Sequence, residues 1–287
     1  MRGKRINRTF WITISVLVLG LLAIGAVLAP EGAPTPVFNA HRELGECMYL
    51  DCYLAPWQAF PMGTDERGIP LLRYAMQGAS IVIVPAIVAG FVVLVLATIA
   101  GLVRCRDAKW LDTALQGFTE LVGALPRLVV ILVVAVVLPR DWRVLMPIAL
   151  TWAILASPSA MDEAATTAER LGGAKFVEAL KAHGFSGVRI FLYHVVWLNL
   201  RAVIVRQAAE VAMQVVFLEI ALSYLAKAQG EPSFTHPEGV ESWALLLYQG
   251  YSAILGEPLW HAMFFGLVLV ALTAVMAQAV RLAARAQ

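Results

Sequence analysis

The sequence carries little charge for its length, and this scarcity argues against an ordinary soluble domain. Only 15% of the 287 residues are Asp, Glu, Lys or Arg, whereas 60% are hydrophobic and the mean hydropathy is +0.74. A typical soluble domain is about 25% charged. Several uncharged runs reach the roughly 20 residues that a helix needs to cross a bilayer. The composition therefore predicts an integral membrane protein.

The sequence also lacks the motifs of common nucleotide-dependent and metal-dependent enzymes. It has no G-x-x-x-x-G-K-[ST] phosphate loop and no H-E-x-x-H, and its five histidines form no helical pair at metal spacing. The net charge of +2 gives no sign of a nucleic-acid surface. We predict a chain that is not an enzyme, holds no metal or cofactor of its own and does not bind nucleic acid.

Cysteine is scarce, with three residues in the whole chain. Cys47 and Cys52 lie five residues apart in a polar loop, and Cys105 lies elsewhere. A loop that faces an oxidising compartment favours a small-loop disulfide between Cys47 and Cys52, with two free thiols as the alternative. A metal site is disfavoured because His41 is the only histidine nearby and the sequence has no second cysteine pair.

The long apolar runs predict the fold class. They are continuous rather than alternating, which favours helices over a membrane barrel. We expect an all-α polytopic membrane protein with six transmembrane helices. The predicted helices lie at about 10–29, 80–103, a third carrying Glu120 and ending at 138, then 144–164, 190–225 and 261–280. Pro126 is expected to kink the third helix or to mark a local break in it. The first run is longer than the about 7–15 apolar residues of a signal peptide, so we interpret it as retained, with cleavage as the alternative.

Basic residues are distributed unequally between the two sides of this arrangement. The N-terminus, 104–112, 162–189 and the C-terminus hold 13 Lys and Arg, whereas 30–78, 139–143 and 226–258 hold 6. The richer side is expected to be cytoplasmic. The chain then divides into a cytoplasmic N-terminus with the first helix (1–29), an extracytoplasmic loop (30–78) and a five-helix core (79–287) with a cytoplasmic segment at about 169–189.

That cytoplasmic segment has the pattern of a short helix that stops and restarts. Gly184 follows as a left-handed C′ residue, and Phe185 at C″ is placed to contact C3 in a Schellman motif. Ser186 can cap the next helix. A short helix across the end of a bundle suits docking into a partner's groove, and an ordinary connector is the alternative. Three apolar residues share one face of it: Phe176, Val177 and Leu180.

The segment resembles the cytoplasmic coupling stretch of ABC importer permeases, F-V-E-A-A-x-x-x-G-A-S-x-x-x-I-x-x-x-H-V-L-P. Leu180 and Trp197 depart from that pattern. A second stretch, P-M-G-T-D-E-R-G, resembles the turn before the second helix of the same family, although Ile69 and Pro70 replace an Arg-Asp pair. The matching residues are Phe176, Val177, Glu178, Ala179, Gly184, Ser186, Ile190, His194 and Val195 in the first stretch, and Pro61, Gly63, Thr64, Asp65, Gly68, Arg73, Gly78 and Ala79 in the second.

Three further short matches occur in the family's order along the chain. They are Trp110 with Asp112, then Glu219 with Leu222, Ser223 and Leu225, then Ser242 with Trp243. By this resemblance the chain is identified as a permease subunit of the dipeptide and oligopeptide type of ABC importer, with the type I fold. The implied activity is import of a small solute, a short peptide above all, by alternating access in a bacterial inner membrane.

The resemblance also implies partners and site residues. The partners are a second permease subunit, two ATP-binding subunits that hold ATP and Mg²⁺, and an extracytoplasmic solute-binding protein, all assembled at the lipid bilayer. Two other classes remain open from the sequence, an ion-coupled secondary transporter and a non-transporting anchor subunit. The implied ATPase-coupling residues are Lys175, Phe176, Val177, Glu178, Ala179, Leu180, Gly184 and Phe185.

Charges inside the fifth predicted helix mark a second candidate site. Arg206, Glu210 and Glu219 are costly in hydrocarbon, so they are functional candidates for the translocation path. The alternative is a structural ion pair between helices or with a partner. Arg206 and Glu210 lie four residues apart, so they share one face of the helix and could pair.

Overall fold

The computed structural model is largely helical and contains no strand in the part of the chain it describes. The described residues are 2–31, 56–57, 61–65, 68–105, 109–139, 142–172, 175–186, 189–230, 232–237, 239–252 and 260–285. They form α1 (Arg2–Val27), α2 (Leu71–Cys105), α3 (Lys109–Gly123), α4 (Arg127–Val137), α5 (Leu145–Gly172), α6 (Lys175–Ala182), a π-helical segment (Ile190–Leu200), α7 (Arg201–Ala228), α8 (Trp243–Ser252) and α9 (Trp260–Arg285). Cys47 and Cys52 lie outside these residues, so their disulfide stays a prediction.

The helices confirm an all-α membrane fold. By length and composition, four of them can cross a membrane, at Thr9–Val27, Leu71–Arg104, Arg201–Ala228 and His261–Leu282. Taken together, α3 and α4 are also long and apolar enough to cross a membrane, as one span that is bent by 78° at its break. The fourth predicted helix forms as α5 but continues to Gly172 and is not among these candidates. The count of six crossings therefore stays a prediction.

Proline residues account for two of the helix boundaries. Pro126 separates α3 from α4, as the sequence predicted, and its carbonyl accepts hydrogen bonds from Val129 and Val130 at 3.0 and 3.1 Å. Proline lacks the amide that would continue α3, so the break falls here. Pro70 immediately precedes α2, which starts nine residues earlier than the predicted position 80.

The centre of the bundle is α2, which packs against α5 and α7 through small side chains. Ala89, Ala97 and Ala153 are fully buried in this interface. A Cβ atom on Gly90 would lie 2.9 Å from the carbonyl oxygen of Ala208, so the backbones of α2 and α7 approach too closely there for any larger residue. Small residues are the usual means of close helix packing in membranes, where there is no hydrophobic driving force between helices.

Candidate functional site

The predicted coupling segment folds as the sequence indicates. Gly184 has a φ of +77°, and the amide of Phe185 donates to the carbonyl of Leu180 at 3.2 Å, which is the C″ to C3 bond of a Schellman motif. Ser186 then begins the next helix, since its Oγ accepts the Arg189 amide at 3.4 Å and its carbonyl accepts the Ile190 amide at 3.0 Å. Both predicted features, the stop and the restart, are confirmed.

The exposed side of α6 differs from the apolar side that the sequence pattern favoured. Val177 is 3% exposed and packs against the chain itself, and Leu180 is half-buried. Glu178 and Ala179 are exposed, so they form the accessible surface of this helix. Val177 therefore anchors α6 to its own bundle rather than facing a partner. The side chains of Lys175 and Phe176 lie outside the described part of the structure.

Aromatic contacts join the loop after α6 to the π-helical segment that leads into α7. The Phe185 ring lies edge-on to His194, with centroids 6.0 Å apart, and His194 in turn contacts Tyr193. The Arg189 guanidinium lies 5.1 Å from the Phe185 centroid, a cation–π geometry. The loop that follows α6 is thus tied to the π-helical segment that continues into α7.

Three helices meet beside this segment in an ion-pair cluster. Arg104, in the last turn of α2, lies 2.6 Å from Asp112 on α3 and 3.7 Å from Glu169 near the end of α5. Asp112 is one of the residues that carried the family resemblance. Since α5 precedes α6 in the chain, these contacts hold the adjacent ends of α2, α3 and α5 together next to the predicted coupling segment.

Arg206 forms an ion pair between helices rather than along its own helix. Its partner is Glu163 on α5 and not Glu210, which is the interhelical alternative that the sequence left open. The other carboxylate oxygen of Glu163 accepts from Gln207, which completes a polar bridge between α5 and α7. Glu210 is half-buried and makes no ion pair with any residue that the structure describes. The sequence did not indicate Glu163 as the partner, because helical spacing identifies neighbours on one helix only. The only available signal was the position of this charge at the end of a predicted membrane helix.

We expect the Arg206–Glu163 bridge to stabilise the bundle. Arg206→Met should lower the free energy of unfolding by roughly 2 kcal/mol, less than the about 3–5 kcal/mol of a fully buried pair, because both side chains are partly exposed. The double variant Arg206→Met with Glu163→Gln should lose less than the sum of the single variants. Thermal unfolding in detergent measures this cycle, and strictly additive losses would show that the two residues do not interact.

Glu219 is fully buried and belongs to a cluster of hydroxyl groups. The Ser223 hydroxyl donates to its carboxylate at 3.0 Å, and Ser223 lies 2.6 Å from the Thr235 hydroxyl. Ser233 and Ser242 complete the group. These contacts tie α7 to the loop that leads to α8. The matches at Ser223 and Ser242 therefore meet in space, which the sequence did not reveal.

The G-T-D stretch forms a buried turn next to α8 and α9. Gly63 and Gly68 have φ values of +84° and +72°, and the amide of Leu71 donates to the Gly63 carbonyl at 2.9 Å. Asp65 is fully buried, accepts the Ile69 amide at 2.8 Å and accepts the Tyr74 hydroxyl. The stretch thus supports the fold, because the Asp65 carboxylate accepts hydrogen bonds that hold the turn against α2.

These features define a class: a polytopic helical membrane protein with a short exposed helix at one end of its bundle. No family model matches the chain. Two curated proteins are similar to it, the "Oligopeptide transport system permease protein OppC" of Lactococcus lactis subsp. cremoris (strain SK11) and that of Lactococcus lactis subsp. lactis (strain IL1403). Each is 26% identical over 179 residues, or 61% of this chain and 59% of the relative.

This similarity confirms the resemblance to oligopeptide-type ABC permease subunits that the motifs predicted. The chain spans about three fifths of the length of the curated relatives it matches, 59% in each case. These relatives show which family the chain resembles. The arrangement of α6 and of the charged residues comes from the structure of this chain alone.

Proposed function

We propose that the chain is the membrane-spanning permease subunit of an ATP-driven importer of short peptides. The observation that carries the proposal is the exposed helix α6, ended by Gly184 and followed by a loop whose Phe185 contacts His194 of the π-helical segment, in a chain similar to oligopeptide transport permeases. The chain itself is not an enzyme in this proposal. ATP and Mg²⁺ are held, and ATP is hydrolysed, by separate subunits.

The mechanism is alternating access driven through α6. Two ATP-binding subunits close when they bind ATP, and one of them carries the exposed surface around Ala179 with it. The movement enters the bundle through α5, which precedes α6, and through the aromatic contacts to α7. ATP drives the change only because it binds the two conformations with different affinity.

The assembly contains a second permease subunit and an extracytoplasmic solute-binding protein besides the two ATPases. It lies in the bacterial inner membrane with both termini in the cytoplasm, the orientation favoured by the distribution of basic residues. Glu210 lies on the translocation path, with Arg206 and Glu219 beside it on the same helix. The bridge to Glu163 and the hydroxyl cluster then set the position of these two charges.

Isolation of the tagged chain from its own membranes tests the proposal. In mild detergent, mass spectrometry should identify an ATPase and a second permease, and inverted vesicles should move radiolabelled trialanine out of their lumen only with ATP. Trialanine movement driven by an ion gradient without an ATPase would favour a secondary transporter. Recovery of the chain alone, in detergent that preserves a known ABC complex, would favour an anchor or a secondary transporter.

A further inference from the structure

Helix α3 presents two different surfaces away from the bundle. The side toward α5 contains its half-buried and buried residues, Asp112, Leu115, Phe118, Thr119 and Val122. The exposed side divides into a polar stripe, Thr113, Gln116 and Glu120, and an apolar stripe, Trp110, Ala114 and Leu121. Each stripe follows the three- and four-residue spacing that places side chains in a row along a helix.

The contacts of α3 place this polar stripe at membrane depth. Asp112 pairs with Arg104, which also reaches Glu169 near the cytoplasmic end of α5. Val122 belongs instead to a buried cluster with Ile148 and Leu155, which lie in the opposite half of α5. Helix α3 therefore rises alongside α5 rather than lying flat across its end. The rise of a helix places Glu120 about 12 Å from Asp112 along that direction.

Glu120 is exposed at that depth and has no polar partner among the described residues. Its side chain makes no ion pair and no hydrogen bond with any of them. A carboxylate against lipid is costly, so such residues face water or protein. The next helix provides the contrast, because the exposed side chains of α4 are aliphatic: Leu128, Val129, Leu132, Val133, Val136 and Val137. Within this broken span, the exposed surface of α4 is apolar enough to face lipid, whereas the polar stripe of α3 requires contact with water.

We propose that the stripe of Thr113, Gln116 and Glu120 lines the water-filled solute path, and that Glu120 binds the positively charged amino terminus of a peptide. The proposal rests on the proposed function, and it adds the chemical group that the path selects. A carboxylate and an ammonium group form a charge-assisted hydrogen bond, about twice as strong as a neutral one. Glu163 does not compete for this role, since its charge is paired with Arg206.

Cysteine labelling from each side of the membrane tests whether the stripe meets water. In the full complex, with Cys47, Cys52 and Cys105 replaced by serine, Glu120→Cys should react with a membrane-impermeant thiol reagent. It should react from outside after trapping with ATP and vanadate, and from the cytoplasmic side without nucleotide. Leu121→Cys, its neighbour on the apolar stripe, should react from neither side. Reaction of Glu120→Cys from the cytoplasmic side only, or from neither side, would overturn the proposal.

Uptake of two matched peptides tests the recognition of the amino terminus. Glu120→Gln should raise the half-saturating concentration of trialanine about tenfold, since the acceptor loses its negative charge, and Glu120→Asp should recover part of the loss. N-acetyl-trialanine should be unaffected, and an equal effect on both peptides would overturn the recognition. If the wild-type complex transports neither peptide, the solute class of the proposed function is wrong, and the labelling result still decides the water-lined stripe.

Discussion

An arginine in place of Ala179 is expected to release the ATPase subunits from the chain and to abolish ATP-driven uptake. Ala179 is exposed on α6, next to Glu178, and its small side chain allows another protein to approach the helix backbone closely. A long charged side chain at such a contact removes the fit. A central interface residue is worth about 2–4 kcal/mol, so the affinity should fall at least thirtyfold.

Co-purification of the ATPase subunits with the tagged variant measures this effect. The matched control is Ala228→Arg, which makes the same substitution at an exposed alanine, the last residue of α7. The control should retain its partners. ATPase recovery that is unchanged in Ala179→Arg would show that α6 is a connector without a docking role, the alternative that the sequence left open.

Leucine in place of Gly78 is expected to prevent α2 from packing against Trp243 at the start of α8. A Cβ atom at this position would lie 2.2 Å from Cδ1 of Trp243, a distance that no real contact allows. Trp243 is fully buried, and its indole N–H donates to the carbonyl of Ala75 at 2.9 Å. Displacing it costs both the packing and the hydrogen bond, which we place at about 3–5 kcal/mol of unfolding free energy.

The unfolding temperature of the purified variant in detergent measures this loss. Gly20→Leu in α1 is the matched control, because nothing lies within 4 Å of a Cβ atom there and leucine favours a helix more than glycine does. Gly20→Leu should leave the unfolding temperature unchanged or raise it. A Gly78→Leu variant as stable as the parent would mean that Trp243 is not seated against α2.

The sequence predicted the features that depend on neighbouring residues. Gly184 with Phe185, the cap at Ser186 and the break at Pro126 follow from backbone chemistry within a few residues, and all three are confirmed. The membrane class follows from composition in the same way. The family resemblance arose from the order of several short motifs, and the similarity to the oligopeptide permeases confirms it.

The partners of charged and polar side chains depended on the tertiary structure. The spacing allowed Arg206 to pair with Glu210 on its own helix, whereas the structure shows it bonded to Glu163, 43 positions away in the sequence. Helical spacing cannot indicate which other helix lies opposite a given residue, because that depends on how the whole bundle packs. The same holds for Ser223 with Thr235, and for Gly78 with Trp243.

What the sequence by itself determined is the class of the protein, the local stops and starts of its helices, and the candidate coupling segment. These depend on hydropathy and on backbone geometry, both of which act over one to a few turns. Only the tertiary structure decided which face of α6 is accessible, which charges are paired, and that Glu120 stands exposed on α3. Those properties depend on packing between distant segments, where the neighbours of a side chain, rather than its own chemistry, decide what it can do.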